Sequence, residues 1–175
     1  MKHSPLATVS RFASLIFLGI FTGFLVAVLV LETSLRDYDA TVYAQVRQVE
    51  LDALDTLASA TLIPAILTTV LLIVTLRRSR DRQLWLPVAA LALMLVVLVV
   101  TLTINLPING DQNDWNVAAP PSDWADVRDE WQGAHVVRVV AALGAFALLI
   151  VAALTRTAAS ALPRHTSEPL SAGRR

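Results

Sequence analysis

The chain has 175 residues, of which 55% are hydrophobic and 16% are charged, and its mean hydropathy is +0.61. Soluble domains carry about 25% charged residues, so this composition excludes an ordinary soluble domain. The formal net charge is zero and no long basic tract occurs, which argues against a nucleic-acid partner. The chain contains no cysteine, which excludes disulfides, thiolate metal sites and Cys-x-x-Cys redox chemistry.

Four apolar stretches are each long enough to cross a membrane. A helix needs about 20 apolar residues to span a hydrocarbon layer of about 30 Å, and stretches of that length occupy residues 12–31, 57–76, 84–104 and 134–154. We therefore predict an all-α fold, a polytopic membrane four-helix bundle. Residues 1–155 form the predicted transmembrane domain, and residues 156–175 form a polar, disordered cytoplasmic tail.

The first apolar stretch begins like a secretory signal peptide. It is longer than the core of about 7–15 residues that such peptides have, and no small-residue cleavage site follows it. We therefore predict an uncleaved first helix. Within this helix Gly19 and Gly23 form a GxxxG pair, which favours the close approach of another helix.

Lysine and arginine are distributed unevenly between the two sides of the predicted bundle. Ten of the 14 fall in the two terminal segments and the loop at 77–82, while the other four are Arg36, Arg47, Arg128 and Arg138. Cytoplasmic loops of membrane proteins carry the excess of basic residues. We therefore predict a multi-pass protein of the cell membrane with both termini cytoplasmic and with the polar stretch 105–138 on the extracytoplasmic side.

The segment between the first two spans has the pattern of a helix. Asp37 or Asp39 can cap its start, and apolar residues follow at helical spacing: Val42, Val46, Val49 and Ala53. This pattern predicts an amphipathic helix that continues into the second span, with a kink at Pro64. The other faces of this helix carry Arg47, Glu50 and Asp52, and its carboxylates are predicted to form a solvated face.

Residues 105–138 form the only long polar interval between apolar stretches. Asn109-Gly110 predicts a turn after the third span, and Pro120-Pro121 predicts a break in the chain. Asp123 then begins the fourth helix outside the membrane. Helices two and four are therefore predicted to extend beyond the membrane on the extracytoplasmic side.

Five polar and aromatic side chains share one face of the fourth helix. At 100° per residue they fall within an arc of about 80°; they are Trp124, Arg128, Trp131, His135 and Arg138.

The position of Arg138 predicts a buried partner for it. Only 16 residues, 139–154, follow Arg138 in the apolar stretch, fewer than the about 17–25 that a span requires, so Arg138 lies at or inside the membrane boundary. A charge there costs up to about 2.5–3.5 kcal/mol, so it should face the bundle interior. We predict an ion pair between Glu32 and Arg138, completed by His135, Asn105 and Asn109 in a hydrogen-bonded cluster.

This cluster has a purely structural interpretation as well, as a clasp that holds the helix ends together without chemistry. A metal site is not predicted, because only His135 among the histidines lies near the membrane and no Glu-x-x-His spacing occurs. A calcium loop starting at Asn109 is rejected, since Asp114 and Pro120 stand where the EF-hand pattern has Gly and Glu. Phosphate-binding and serine-hydrolase motifs are absent. The tryptophans are also compatible with simple anchors at the membrane interface.

The chain resembles the anthrone-oxygenase-like family of small four-helix membrane proteins, catalogued for a long time as a domain of unknown function. The resemblance covers residues 12–155 and is strongest in the polar stretch. The residues that carry it are Thr22-Gly23, Tyr43-x-Gln45, Asn105-x-Pro107-x-Asn109, Trp115, Ala119-Pro120-Pro121-x-x-Trp124, Arg128, Trp131, His135 and Arg138.

This resemblance implies a monooxygenase that converts an anthrone to an anthraquinone with O2, without metal, flavin or another cofactor. On that basis His135 is the expected general base, and Arg138 or Asn109 is expected to stabilise the oxyanion. The expected substrate-binding residues are Trp124, Trp131, Trp115, Asn105 and Tyr43. The expected partners are membrane lipid, a small hydrophobic aromatic molecule and O2. The alternative function is a non-catalytic membrane protein, monomeric or oligomeric, whose cluster clasps the bundle or binds a lipid, a quinone or a partner subunit.

Overall fold

A computed structural model of the protein describes residues 5–79 and 82–161. Within these residues the chain forms helices and no strand, which confirms the predicted all-α fold. The helices, in chain order, are α1 (Pro5–Ser34), α2 (Ala40–Arg78), α3 (Trp85–Val100), α4 (Leu106–Asn113) and α5 (Trp124–Ala161).

Four segments of the described chain are long and apolar enough to cross a membrane. They are Pro5–Asp37, Thr56–Arg78, Trp85–Asn113 and Trp124–Thr155. Their outward faces carry many exposed Val, Leu and Ile side chains, as a surface surrounded by lipid requires. The predicted multi-pass membrane protein is therefore confirmed.

The long helices pack in a ring, with α1 against α2 and α5, and with α3 against α2 and α5. Their shared core is apolar and includes Leu18, Phe21, Leu25, Met94, Ala142 and Ala145. Of the two glycines in the GxxxG pair, only Gly19 lies at a close contact. A Cβ atom added there would lie 3.2 Å from Cε2 of Phe146, whereas one added at Gly23 would meet nothing within 4 Å.

Helix α2 joins the predicted amphipathic segment and the second span into one element of 39 residues. Asp39 caps its start, since the Val42 N–H donates to Asp39 Oδ1 at 3.0 Å, and Pro64 lies inside the helix. The predicted solvated face is wrong for the carboxylate of Glu50, which is 6% exposed, and Arg47 on the same helix is only 2% exposed. The end of α1 and helix α4 cover this face, so its charged groups pair inside the protein.

Helix α3 continues through a π-helical turn, Thr101–Asn105, directly into α4. The turn predicted at Asn109-Gly110 is therefore wrong, since both residues are helical. Pro107 lacks an N–H group and its ring crowds the preceding helical turn, which would interrupt a regular α-helix. The wider π turn precedes Pro107 and provides the room that its ring needs. The continuous helix brings Asn109 over the ring of helices.

Helix α5 begins at Trp124, one residue after the predicted start at Asp123. The Asp123 carbonyl accepts hydrogen bonds from the N–H groups of Asp126 and Val127 at 3.0 and 3.2 Å. The helix continues through Ala161, into the first residues of the predicted polar tail. The rest of that prediction, residues 162–175, lies outside the described residues.

Candidate functional site

A cavity of about 320 Å³ lies among the long helices. Small-molecule sites have volumes of about 300–1,000 Å³, so this cavity is large enough for a compact ligand. One part of its wall is apolar and includes Phe21, Phe24, Val28, Leu54, Leu62 and Leu98. The lining also includes Trp131 and a set of polar side chains that we call the polar wall, among them Arg47, Glu50, Asn109, His135 and Arg138.

The cavity reaches the outer surface of the helices between α2 and the π turn. Ile63, Leu102 and Leu106 line the cavity, yet they are 53%, 54% and 45% exposed. Ile63 and Leu102 lie within segments that are apolar enough to span the membrane. The opening is therefore bordered by apolar side chains on a lipid-facing surface, and we call it the lateral opening.

Arg47 is the centre of the polar wall. Its Nη1 lies 3.1 Å from Glu32 Oε1 and 2.7 Å from Glu50 Oε2. Its Nε donates to Gln112 Oε1 at 2.9 Å, and its Nη2 donates to Asn109 Oδ1, also at 2.9 Å. The guanidinium thus connects the end of α1, its own helix α2 and helix α4, as its planar set of donors allows.

The predicted ion pair between Glu32 and Arg138 is wrong. Glu32 pairs with Arg47 instead, and Gln132 donates to Glu32 Oε2 at 3.1 Å and to the Glu32 carbonyl at 2.8 Å. Arg138 is 6% exposed and makes no ion pair or hydrogen bond with the side chains or backbone of the described residues, and its Nε is buried. Arg47 takes the place predicted for Arg138 because α2 packs along the end of α1. A buried guanidinium therefore lines the cavity without an ion-pair partner in the described part of the chain.

His135 is held in one tautomer. Its Nε2 lies 2.9 Å from the Leu25 carbonyl oxygen, which can only accept, so Nε2 carries the proton. The other ring nitrogen, Nδ1, is buried and has no hydrogen-bond partner in the described part of the chain. Trp131 stacks on the imidazole with ring centroids 4.8 Å apart and planes 10° apart. The side chain is therefore fixed with an unused lone pair on Nδ1.

Trp131 connects His135 to the polar wall. Its Nε1 donates to Asn109 Oδ1 at 2.7 Å, and the Arg47 guanidinium lies 4.2 Å from its ring centroid. Asn105, fully buried behind it, donates from Nδ2 to the Trp131 carbonyl at 3.2 Å. Asn109 Oδ1 accepts from both Arg47 and Trp131, so the amide nitrogen of Asn109 is the group that can still donate a hydrogen bond.

Three of the predicted substrate-binding residues form a separate aromatic group outside the cavity. The Tyr43 ring lies 5.5 Å from that of Trp124 and 6.4 Å from that of Trp115. Arg128 lies 4.9 Å from the Trp124 centroid, and none of these four residues lines the cavity. Burial, followed by the nearby Glu32 carboxylate, raises the pKa of the Tyr43 phenol above its ordinary value.

The structure thus divides the predicted site residues into three sets. His135, Arg138, Asn109 and Trp131 meet at the cavity, Asn105 lies behind Trp131, and the third set is the outer aromatic group. The residues that sequence reasoning missed are Phe21, Phe24, Arg47, Glu50, Gln112 and Gln132. The Arg47-x-x-Glu50 spacing was the available signal, because residues three apart are neighbours on a helix.

Glu50 has an environment that favours its protonated form. Burial raises the pKa of Glu50 from its ordinary 4.5 to about 7, and the Glu32 carboxylate adds to this effect, while Arg47 opposes it. The Glu50 Oε2 atom accepts from Arg47 Nη1, whereas Glu50 Oε1 and Glu32 Oε1 are both buried and accept no hydrogen bond from the described residues, although Glu32 Oε1 lies in ion-pair contact with Arg47. Two carboxyls therefore share one guanidinium at the cavity wall.

These features define a class: a helical multi-pass membrane protein with an internal cavity that is lined by both apolar and charged or polar side chains. More specifically, the chain belongs to the anthrone oxygenase family, whose sequence model matches residues 54–148, more than half of the chain. The resemblance inferred from the sequence is thereby confirmed. Asn109, Trp131, His135 and Arg138 lie inside the matched region, whereas Glu32, Arg47 and Glu50 precede it. No curated protein and no solved structure matches the chain.

Proposed function

We propose that the protein oxidises a hydrophobic, anthrone-like aromatic molecule with O2 inside the cavity, and that His135 is the general base. One observation supports this function above the others. Within the described residues, His135 Nδ1 is a buried basic nitrogen without a hydrogen-bond partner, and its side chain lines the cavity one helical turn from Arg138, which has no ion pair there. A base and a cation side by side are what proton abstraction next to a ketone requires.

The first step removes one proton from the methylene carbon of the anthrone. His135 Nδ1 takes the proton, and the electron pair of the broken C–H bond moves onto the ketone oxygen. Arg138 and the Asn109 amide stabilise the resulting oxyanion, which supplies the counter-charge that Arg138 lacks. The apolar wall with Phe21 and Phe24 contacts the ring system, while Trp131 holds His135 in place.

Oxygen then reacts with the carbanion form of this anion. The anion gives one electron to O2, the radical pair combines at the former methylene carbon, and the protonated His135 returns its proton to the peroxide. The hydroperoxide loses water to form the second carbonyl. One anthrone and one O2 thus give one anthraquinone and one water, so no external reductant is required.

The lateral opening suits a substrate that is dissolved in the bilayer. Its rim residues Ile63, Leu102 and Leu106 are apolar and exposed to lipid. A polycyclic aromatic molecule partitions into the hydrocarbon layer and would reach the cavity there without crossing water. O2 is itself an apolar molecule and can use the same route.

We further propose that the protein lies in the cell membrane with both termini in the cytoplasm. The support is the excess of Lys and Arg in the terminal segments and in the loop at 77–82. The polar wall of the cavity, with Arg47, Glu50 and Asn109, then lies on the extracytoplasmic side. Charge-reversal of the 77–82 loop, followed by protease-accessibility mapping, tests this orientation.

The test of the oxidation is turnover of an anthrone by the purified protein in lipid nanodiscs. Wild type should form the anthraquinone with consumption of one O2 per quinone, and His135→Ala should reduce the rate by about 10²-fold or more. Val136→Ala is the matched control, since Val136 is the next residue on α5 and faces outward. Normal turnover by His135→Ala would reject His135 as the base.

The polar cluster also ties helices together, which favours the non-catalytic clasp as the second candidate. His135 bonds the Leu25 carbonyl on α1, and Gln132 bonds Glu32 at the end of the same helix. If His135 serves only as a clasp, His135→Ala lowers the unfolding temperature and anthrone turnover is absent from wild type as well. If it is a base, turnover is lost while the variant remains folded.

A further inference from the structure

The proposed oxidation needs an acid as well as a base, and His135 cannot be both in its last step. When the hydroperoxide collapses, the remaining C–H bond breaks and its electron pair forms the second carbonyl. The O–O bond breaks at the same time, and the outer oxygen leaves as hydroxide. His135 Nδ1 must be free to take the carbon-bound proton, so the hydroxide requires a proton from a different group.

Glu50 is the other group at the cavity wall that can hold a proton. It lies on α2, whereas His135 lies on α5, so the two side chains reach the same cavity from different helices. Glu50 is 6% exposed, and its Oε1 is buried without a donor. Arg47 and Arg138 also line the cavity, but a guanidinium does not give up its proton in proteins.

The unsatisfied oxygens of Glu50 and Glu32 support a shared proton. Two ionised carboxylates can only accept hydrogen bonds, and one Arg47 guanidinium balances only one of their charges. The two carboxyl groups lie close together, since Glu32 Oε1 and Glu50 Oε2 are 3.1 and 2.7 Å from the same atom, Arg47 Nη1. A single proton between them provides the missing donor and removes one of two like charges, in the manner of other close carboxyl pairs.

We propose that Glu50, supported by Glu32, is the general acid that protonates the departing hydroxide when the hydroperoxide collapses to the quinone. The proton leaves Glu50 and forms water with the hydroxide, while His135 takes the proton from carbon. The proton on His135 then passes to the Glu50 carboxylate through the water that has just formed. Atoms and charges return to their starting state. This inference rests on the proposed oxidation and adds the residue that completes its last step.

The surroundings of Glu50 keep its proton available near neutral pH. Glu32 faces it from α1, Arg47 lies on its own helix, and His135 and Arg138 reach the same cavity from α5. Helix α4 contributes the uncharged amides of Asn109 and Gln112. With a pKa of about 7, a substantial fraction of Glu50 is protonated at neutral pH.

The test is Glu50→Gln in nanodiscs, given anthrone and O2. Glutamine keeps an oxygen that can accept from Arg47 but cannot act as an acid. In a single turnover, with protein in excess over anthrone, the variant should take up O2 at close to the wild-type rate and accumulate the hydroperoxide, which is heavier than the anthrone by one O2. It should then form quinone about 10²-fold more slowly. Asp52→Asn, an exposed carboxylate two residues away, is the matched control and should behave as wild type.

A second readout is the pH dependence of quinone formation from the hydroperoxide. In wild type the rate should fall as the pH rises through about 7, because Glu50 loses its proton, whereas Glu50→Gln should show no such fall. Quinone formation by Glu50→Gln at the wild-type rate would overturn the assignment. So would a folded Glu50→Gln that takes up no O2, since Glu50 would then act earlier. A wild-type protein that takes up no O2 with anthrone would instead overturn the oxidation itself.

Discussion

Arg47 and Arg138 are two buried arginines at one cavity, and the structure predicts opposite consequences when each is replaced by methionine. Arg47 contacts Glu32, Glu50, Gln112 and Asn109, all within 3.1 Å. Arg47→Met leaves two buried carboxyls without their counter-charge. Removal of one partner from a buried ion pair costs about 3–5 kcal/mol of stability, so Arg47→Met should lose about this amount at pH 7.

Arg138→Met is the matched control, because it makes the same substitution at the other buried arginine of the cavity. Arg138 is 6% exposed and lacks an ion pair within the described residues, so its replacement removes a desolvated charge and no bond. Its free energy of unfolding should stay the same or rise. Reversible unfolding in mixed micelles, followed by circular dichroism, measures both variants. A loss for Arg138→Met as large as that for Arg47→Met would contradict the pairing and favour a Glu32–Arg138 bond.

The pH dependence of the free energy of unfolding provides a second test with the same two variants. The cost of Arg47→Met comes from ionised carboxyls, so it should shrink when unfolding is measured at pH 5, where Glu50 is largely protonated. The effect of Arg138→Met should change little over the same interval. A cost for Arg47→Met that is equal at both pH values would show that the loss comes from packing and not from charge.

Two further predictions concern Glu50 and the lateral opening. The folded pKa of Glu50 is raised from 4.5 to about 7, so wild type should lose on the order of 3 kcal/mol relative to Glu50→Gln as the pH rises over that interval; a parallel pH dependence of the two unfolding curves would contradict this. Because the chain has no cysteine, Leu102→Cys offers a single thiol, and a bulky maleimide adduct on it should slow oxidation of bilayer-delivered anthrone several-fold. Val99 is 56% exposed and does not line the cavity, so the same adduct on Val99→Cys should leave the oxidation rate unchanged. Equal inhibition of the two variants would argue against entry of the substrate at the lateral opening.

The positions of the long helices could be predicted from the sequence because the membrane imposes their length. A span requires about 20 apolar residues whatever its neighbours are, so composition alone located all four. The starts of α2 and α5 could also be predicted, because each depends on hydrogen bonds between residues three or four positions apart. At α2 the Asp39 side chain accepts from Val42 N–H, and at α5 the Asp123 carbonyl accepts from the N–H groups of Asp126 and Val127. Helix starts of this kind can therefore be predicted from the sequence without knowledge of the tertiary structure.

The turn predicted at Asn109-Gly110 failed because a neighbouring feature overrode the local preference. The π turn at Thr101–Asn105 precedes Pro107 and lets the helix continue through it. A π turn has no reliable sequence signature, so the pattern of Asn, Gly and Pro was misleading. The consequence for the site is direct, since a helical α4 brings Asn109 and Gln112 within reach of Arg47.

The partner of Glu32 could not be found from the sequence for a different reason. The periodicity of α5 correctly placed His135 and Arg138 on one face, but it does not report how α1 and α2 rotate against each other. In the structure Arg47 points inward from α2 and forms the ion pair with Glu32 that was predicted for Arg138. Charged residues on an amphipathic helix are usually solvated, but here α4 packs against α2 and buries Arg47 and Glu50.

The most direct test of the proposed chemistry is the behaviour of the protein with anthrone in the absence of O2. Proton removal by His135 and stabilisation of the anion by Arg138 and Asn109 need no oxygen. Wild type in nanodiscs should therefore accumulate the anthrone anion, seen as a long-wavelength absorbance that disappears into quinone when O2 is admitted, and His135→Ala should not. The proposal is contradicted if wild type forms no anion, or if His135→Ala forms as much of it.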